Sequence, residues 1–185
     1  ILMHPMLNIA IRAARNAGKV IVRAFEEPNK IEVQQKGSND IVTNIDKDAE
    51  AVIRETILKS YPDHSIVGQE LGEHKGKSTE YQWIIDPIDG TSNFVKGIPH
   101  FAVSIALKVK GRLDQAVIYD PIRGELFTSS RGQGAQLNSK RLRVSKANEL
   151  MGTIIATSFP YKHKHHLEAY TKSFQALFTQ TADMR

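Results

Sequence analysis

From Met6 to Phe25 the apolar residues recur at intervals of three and four, with Leu7, Ala10, Ala14, Ala17 and Ile21 on one stripe and Arg12, Arg15, Lys19 and Arg23 between them. This spacing predicts an amphipathic helix. The polar run QQKGSND predicts a turn. A second helix is expected to start near Thr43, because Thr43 and Asp46 stand at capping-box spacing, with Asp in place of the commoner Glu. Its apolar positions Ala49, Val52, Ile53 and Ile57 carry it to Ser60, where YPDH stops it. SIVG then reads as a short strand and Gly72 to Glu80 as a polar linker. Trp83, Ile84 and Ile85 are apolar on both faces of a strand, which suits a central place in a covered sheet. Phe101 to Val109, Leu113 to Tyr119 and Glu125 to Ser129 follow as strands, parted by KGR and DPIRGE turns, and antiparallel hairpins are the expected arrangement.

Beyond Arg143 the pattern changes. A strand is expected at Thr153 to Thr157 and a helix from His166 to Phe178. The expected organisation is an α+β domain over 3–145, followed over 146–185 by the start of a C-terminal α/β domain. Its remaining strands and helices are expected to lie outside this sequence.

Composition narrows the chemistry. The 185 residues are 41% hydrophobic and 24% charged, ordinary values for a globular protein. No window approaches the roughly 18–20 apolar residues of a membrane span, so no membrane partner is expected. The first residues lack the charged segment and cleavage site of a secretion signal, and Ile1 and Leu2 ahead of Met3 are left out of the fold reading. The absence of cysteine excludes disulfides, thiolate metal sites and cysteine nucleophiles, and fits a cytoplasmic location. A net charge of +5 is compatible with an anionic partner but equally with a mildly basic solvated surface.

The string WIIDPIDGTSNF, Trp83 to Phe94, raises a sharper question. An apolar strand ends in Asp86 and Asp89, astride Pro87 and directly ahead of Gly90. A carboxylate cannot be carried inward cheaply, so Asp86 must sit at the strand's mouth, take up a proton or meet a cation. Pro87 fixes its own φ and biases Asp86 toward extended backbone, so the two acids can converge. Oxygen ligands of this kind suit Mg²⁺ at about 2.0–2.1 Å. Gly90, Thr91, Ser92 and Asn93 are residue types that open a helix or cap a turn, placing N–H groups where an anion could bind. Taken alone, the D-x-x-D spacing is also what turn caps and solvated strand ends look like.

The fuller string resembles the signature of the inositol monophosphatase family. KGSNDIVTNID at Lys36 to Asp46, YPDHSIVGQE at Tyr61 to Glu70, GIPHFAVSIA at Gly97 to Ala106 and YDPIRGELFTSSRGQGAQLN at Tyr119 to Asn138 continue the likeness in the family's order. The likeness runs through nearly the whole chain and is greatest to the bacterial extragenic-suppressor type. It implies a layered αβαβα sandwich of the sugar-phosphatase type with the C-terminal half truncated or unseen. It also implies a Mg²⁺-dependent, Li⁺-sensitive phosphomonoesterase acting on a small phosphorylated polyol, and a homodimer. Asp86 would bridge two Mg²⁺ ions, with the Ile88 carbonyl on one and Asp89 on the other. Gly90 and Thr91 would bind the substrate phosphate, and Thr91 with Asp46 would orient and deprotonate the attacking water. For Asp46 a plain helix-cap role stays open. Lys36 matches a family lysine near the active site and would attract phosphate or position water, or simply be a solvated loop lysine.

Two departures accompany the likeness. Gln69 and Glu70 stand where the family usually has Glu-Glu, so a metal ligand at position 69 offers a neutral carbonyl and no charge, which weakens metal binding. Glu70 could swing in to compensate, joining Lys36 as a loop residue near substrate or metal-bound water, but on a strand it would point to the opposite face from Gln69. The family's C-terminal WDxAAG-like motif, which brings a further aspartate, has no match here. These departures motivate an alternative: a catalytically weak member that binds transcription machinery or RNA, or a phosphatase for another small phosphate ester. YKHKHH at Tyr161 to His166 reads as a solvated basic helix start rather than a metal or nucleic-acid site, and RGQGAQ from Arg131 as a hairpin turn rather than a dinucleotide loop. His100 gives no catalytic pairing.

Overall fold

The computed structural model describes residues 4–37, 40–161 and 163–185. The chain divides into two compact units, 1–36 with 41–142, and 37–40 with 143–185.

The first unit opens with α1 (Pro5–Glu26), whose N-terminus is capped by the His4 imidazole accepting from the Met6 N–H at 3.2 Å. Strands β1 (Val33–Gly37) and β2 (Asp40–Thr43) pair as a separate two-stranded sheet. The turn expected at QQKGSND is therefore largely strand, with Ser38 and Asn39 outside the described residues. Helix α2 (Asn44–Ser60) begins with the capping box read from the sequence. The Thr43 hydroxyl accepts from the Ile45 and Asp46 N–H groups, and the Asp46 carboxylate accepts from the Thr43 N–H at 2.8 Å. A residue such as Thr43 in extended conformation can do this at modest cost, and the box saves about 1 kcal/mol of helix-end free energy.

Eight strands form the main sheet. They are β3 (Ser65–Gly68), β4 (Gly72–His74), β5 (Tyr81–Asp89), β6 (Ala102–Val109), β7 (Arg112–Asp120), β8 (Glu125–Ser130), β9 (Gly134–Leu137) and β10 (Lys140–Arg141). A short helix, α3 (Thr91–Val95), separates β5 from β6. The spatial order is β10-β9-β8-β7-β6-β5-β3-β4, antiparallel except where β3 runs parallel to β5. The hairpins expected downstream of β5 are present. The linker expected at Gly72 to Glu80 is not wholly irregular, because its first three residues pair back on β3 as β4.

Cross-strand rows show how the sheet is held. Ile85, Ile105, Val117 and Thr128 lie side by side, as do Trp83, Leu107, Gln115 and Ser130, and all are buried. Helices α1 and α2 pack on each other, α1 on β6 and β7 and α2 on β5, and their Ala and Ile positions join Trp83, Ile85, Ile105, Leu107 and Val117 in one cluster. Fully burying an Ile or Leu contributes about 1.5–3 kcal/mol, so this cluster is a main source of the unit's stability. The opposite face departs from the expectation of a strand covered on both sides. Ile84 and Ala106 are half-buried there, and Ile118 is 48% exposed. Trp83 places its polar edge by donating from Nε1 to His64 Nδ1 at 3.0 Å. The His64 ring lies stacked between Tyr61 and Tyr81, and burial holds its pKa below the ordinary value.

The second unit carries β11 (Ile154–Ile155), α4 (Leu167–Phe178) and β12 (Asp183–Met184), with β11 and β12 parallel. Helix α4 is thus the crossover that a parallel pair requires. The basic run ahead of it is a turn of 3-10 helix over Lys164–His166, with exposed imidazoles and with Lys162 outside the described residues. The strand expected over Thr153 to Thr157 is only two residues long. No helix among the described residues is long and apolar enough to cross a membrane.

Candidate active site

The acids come to the end of β5 through a break in its ladder. Pairing with β6 is regular up to Asp86 opposite Ser104 and resumes only at Asp89 opposite Ala102. The break falls on Pro87, which has no N–H to give. The Ile88 side chain is buried and pins this bulge to the core, leaving Asp86 half-buried and Asp89 exposed. Gly90 follows with φ 103°, in the left-handed region, and a Cβ there would lie 2.9 Å from the His100 carbonyl oxygen. Only glycine makes this turn without strain. His100 therefore contributes its backbone, and its carbonyl also accepts from Asn93 Nδ2 at 2.8 Å. Phe94 anchors the other side of the turn in a ring cluster, 6.0 Å from Phe25 and 5.4 Å edge-to-face with Phe101.

Asp46 reaches the same place from α2. It is almost fully buried, and its two oxygens do different things. Oδ2 accepts from the Thr43 N–H and hydroxyl, at 2.8 and 2.5 Å, and Oδ1 accepts from the Thr91 hydroxyl at 2.9 Å. The helix-cap role and the link to Thr91 are thus both present in one carboxylate. Thr91 Oγ1 also lies 3.0 Å from the Ile88 carbonyl. One hydroxyl proton serves these two acceptors, so the Thr91 oxygen keeps lone pairs for an incoming donor.

Gln69 and Glu70 lie in the turn between β3 and β4 rather than on a strand, so strand alternation does not set their directions. Turned with its amide nitrogen inward, Gln69 donates to both Asp86 oxygens at 2.8 Å. Glu70 forms an ion pair with Lys36, which projects from β1 and not from the loop expected of it. Asp86 feels the resulting crowd. Burial is the largest influence on it and the negative charge of Asp89 the next, and the Ile88 N–H acts in the opposite sense. Asp46 and Glu70 add smaller repulsions, and the outcome is a pKa raised from 3.8 to about 6.

The sequence did not single out the group that holds the Gln69–Glu70 turn. Glu50, one helical turn beyond Asp46, is fully buried and accepts from the Glu70 N–H at 2.7 Å and from the Leu71 N–H at 3.2 Å. Arg54 lies against it, Nε to Oε1 at 2.8 Å, and also donates to the Gly72 carbonyl. The available signal was an acid on the apolar side of α2 with an arginine four residues on, a pattern easily taken for a surface i,i+4 pair.

The donor set fits a divalent cation in kind. Asp86, Asp89, the Ile88 carbonyl and the Gln69 amide oxygen are all hard oxygen donors, and the burial and carboxylate repulsion that raise the Asp86 pKa are both costs of negative charge that a cation would offset. Among the described residues no three His, Cys, Asp or Glu side chains are grouped to hold a metal, so within them a cation would meet two carboxylates and neutral oxygens.

A sequence model of the inositol monophosphatase family matches residues 2–185. The chain belongs to this family. It is 60% identical over 183 residues to the Nus factor SuhB of Salmonella typhimurium, an alignment covering 99% of this chain and 68% of that protein. Among solved structures it superposes with a TM-score of 0.94 on the extragenic suppressor protein suhB of Bartonella henselae, at 37% identity, covering 98% of this chain and 70% of that one. An inositol monophosphatase (IMPase) of Thermotoga maritima gives a TM-score of 0.85 at 31% identity, over 98% and 68% of the respective chains. The α+β mixed sheet described above is the fold these family members share.

Proposed function

We propose that the protein is a Mg²⁺-dependent phosphomonoesterase that hydrolyses an inositol monophosphate. The observation that carries this reading is the Thr91–Asp46 hydrogen bond beside the two carboxylates of the β5 end. Asp86, Asp89, the Ile88 carbonyl and Gln69 would hold the metal, with Gln69 turning its amide so that oxygen faces inward. A divalent cation there supplies positive charge that lowers the pKa of water and neutralises the phosphate. The Thr91 hydroxyl would take a proton from the attacking water as it hands its own to Asp46 Oδ1, whose position is fixed by the α2 cap, and the departing alkoxide would take a proton from solvent. Gly90 and Thr91 present the phosphate-binding turn. Lys36 adds positive charge at the rim, shared with Glu70. No side chain acts as nucleophile, so no phosphoenzyme forms.

Further parts of the reading rest on family membership: Li⁺ inhibition, a homodimer, and the 146–185 segment as the beginning of a second α/β domain. A cytoplasmic location accords with the cysteine-free composition. Phosphate release from inositol 1-phosphate, with Mg²⁺ and with excess chelator, tests the activity, and a panel of small phosphate esters tests the substrate. Turnover that ignores the chelator refutes the metal mechanism.

A second reading is favoured by the relatives named Nus factor and by the neutral Gln69. In it the chain is a weak catalyst that serves as a partner of transcription machinery or RNA. Saturable partner binding without detectable turnover supports it, and ordinary turnover removes its motive.

A further inference from the structure

The turn from Gln69 to Leu71 carries two side chains to the acid cluster, yet it does not hold itself. Its flanking residues Gly68 and Gly72 pair as the last rung of the β3–β4 ladder. Inside the loop the N–H groups go elsewhere. The Gln69 N–H donates to the carbonyl of Ile85, the residue before Asp86, at 3.1 Å. Those of Glu70 and Leu71 both donate to Glu50. Arg54 completes the arrangement with one nitrogen 2.7 Å from Glu50 Oε1, and it bonds the Gly72 carbonyl at the far end of the turn. The carboxylate lies so close to the backbone that a Cβ on Gly68 would stand 1.8 Å from Glu50 Oε1. A charged group with no solvent exposure is retained at a cost unless every partner is in place. Here every partner belongs to the turn or to the arginine that neutralises it.

From this we propose that Glu50, assisted by Arg54 and by the missing side chain at Gly68, is a positioning residue that sets the site's affinity for divalent cations. It does so by fixing the backbone from which Gln69 reaches Asp86 and Glu70 reaches Lys36. Glu50 touches neither water nor substrate, so its loss leaves the Thr91–Asp46 pair intact and alters metal demand before it alters the chemical step. The proposal rests on the metal-dependent phosphatase reading above and names the residue that tunes that site.

The test compares the parent with Glu50→Gln, which keeps the shape but sets an amide donor against Arg54. Arg54→Lys is the second variant, keeping the charge while losing the fork. Mg²⁺ binding is measured by calorimetry and by the rise in melting temperature on adding Mg²⁺. Amide exchange is followed at Glu70 and Leu71, and kcat is measured at saturating Mg²⁺. The expected result in either folded variant is a Mg²⁺ Kd raised about tenfold, faster exchange at those two amides, and kcat within about twofold of the parent, which corresponds to local weakening of one ligand arm. A variant that melts lower but binds Mg²⁺ with parental affinity overturns the proposal and leaves Glu50 a structural residue. A variant with parental Kd and parental exchange overturns it as well. A parent that binds no Mg²⁺ overturns the metal reading itself, and the calorimetry of the parent alone reveals that case.

Discussion

The two sides of the site are built differently. The Asp46, Asp86 and Thr91 side is held by the core. Asp46 closes its own helix cap, Ile88 and Phe94 are buried on either side of the turn, and Gly90 has no room for a side chain. The Gln69 and Glu70 side is held chiefly by the buried Glu50 carboxylate, twenty residues before Glu70, beside the bond from the Gln69 N–H to the Ile85 carbonyl. The pieces of the first follow local rules that act within a few residues and are joined by the Thr91–Asp46 bond, whereas the second depends on a contact between an α2 side chain and a loop backbone. Damage to the first side should abolish the chemistry, whereas damage to the second should change how much metal the chemistry requires.

The largest expected effect breaks the first side at its centre. Asp86→Asn should reduce Mg²⁺-dependent phosphate release about a thousandfold or more at any practicable Mg²⁺, since it removes a carboxylate that would hold the cation. Next, Thr91→Ala should lower kcat by about 10²–10⁴-fold, the range for lost acid–base assistance, with Thr91→Ser restoring most of it because the hydroxyl returns to Asp46 Oδ1. Steady-state kinetics on both variants would show whether the hydroxyl or merely the side-chain volume matters.

A smaller effect concerns acid. Without divalent cations the folded protein keeps Asp86 protonated up to about pH 6, whereas the ordinary value is 3.8. Between those values the folded state binds the extra proton, so this group's contribution to stability falls as pH rises through the window. The melting temperature of metal-free parent, relative to Asp86→Asn, should therefore drop from pH 4 to pH 7, and Mg²⁺ should oppose the drop at the upper end. A difference that stays flat across this range would show that neither burial nor the neighbouring carboxylates raise the Asp86 pKa.

The smallest effect sharpens the second side. Gln69→Glu replaces a neutral oxygen donor by a charged one and removes the two hydrogen bonds to Asp86, so the Mg²⁺ concentration for half-maximal activity should fall a few-fold while kcat changes little. Identical Mg²⁺ curves would place Gln69 outside the metal shell.

The same division explains what the sequence made legible. The stripe of α1, the Thr43–Asp46 box and the downstream hairpins follow periods and caps that act locally, and the structure has them. The strand β4 was not legible, because Gly72–His74 is polar and forms a strand only by pairing with β3. The position of Lys36 on a strand was missed for the same reason, since Gln34, Gln35 and Lys36 carry no apolar alternation. Glu50 was hidden by its chemistry: a charged residue reads as surface until its partners, two loop amides and an arginine, are known. The α4 segment was legible as a helix from its spacing, although no described residue from 143 to 185 is buried.

Calorimetric titration of the parent and Asp86→Asn with Mg²⁺ asks whether the carboxylates at the end of β5 hold a divalent cation. Saturable binding by the parent and its loss in Asp86→Asn, with the variant still folded, is the predicted result. Equal binding by the two proteins, or none by the parent, would contradict the account.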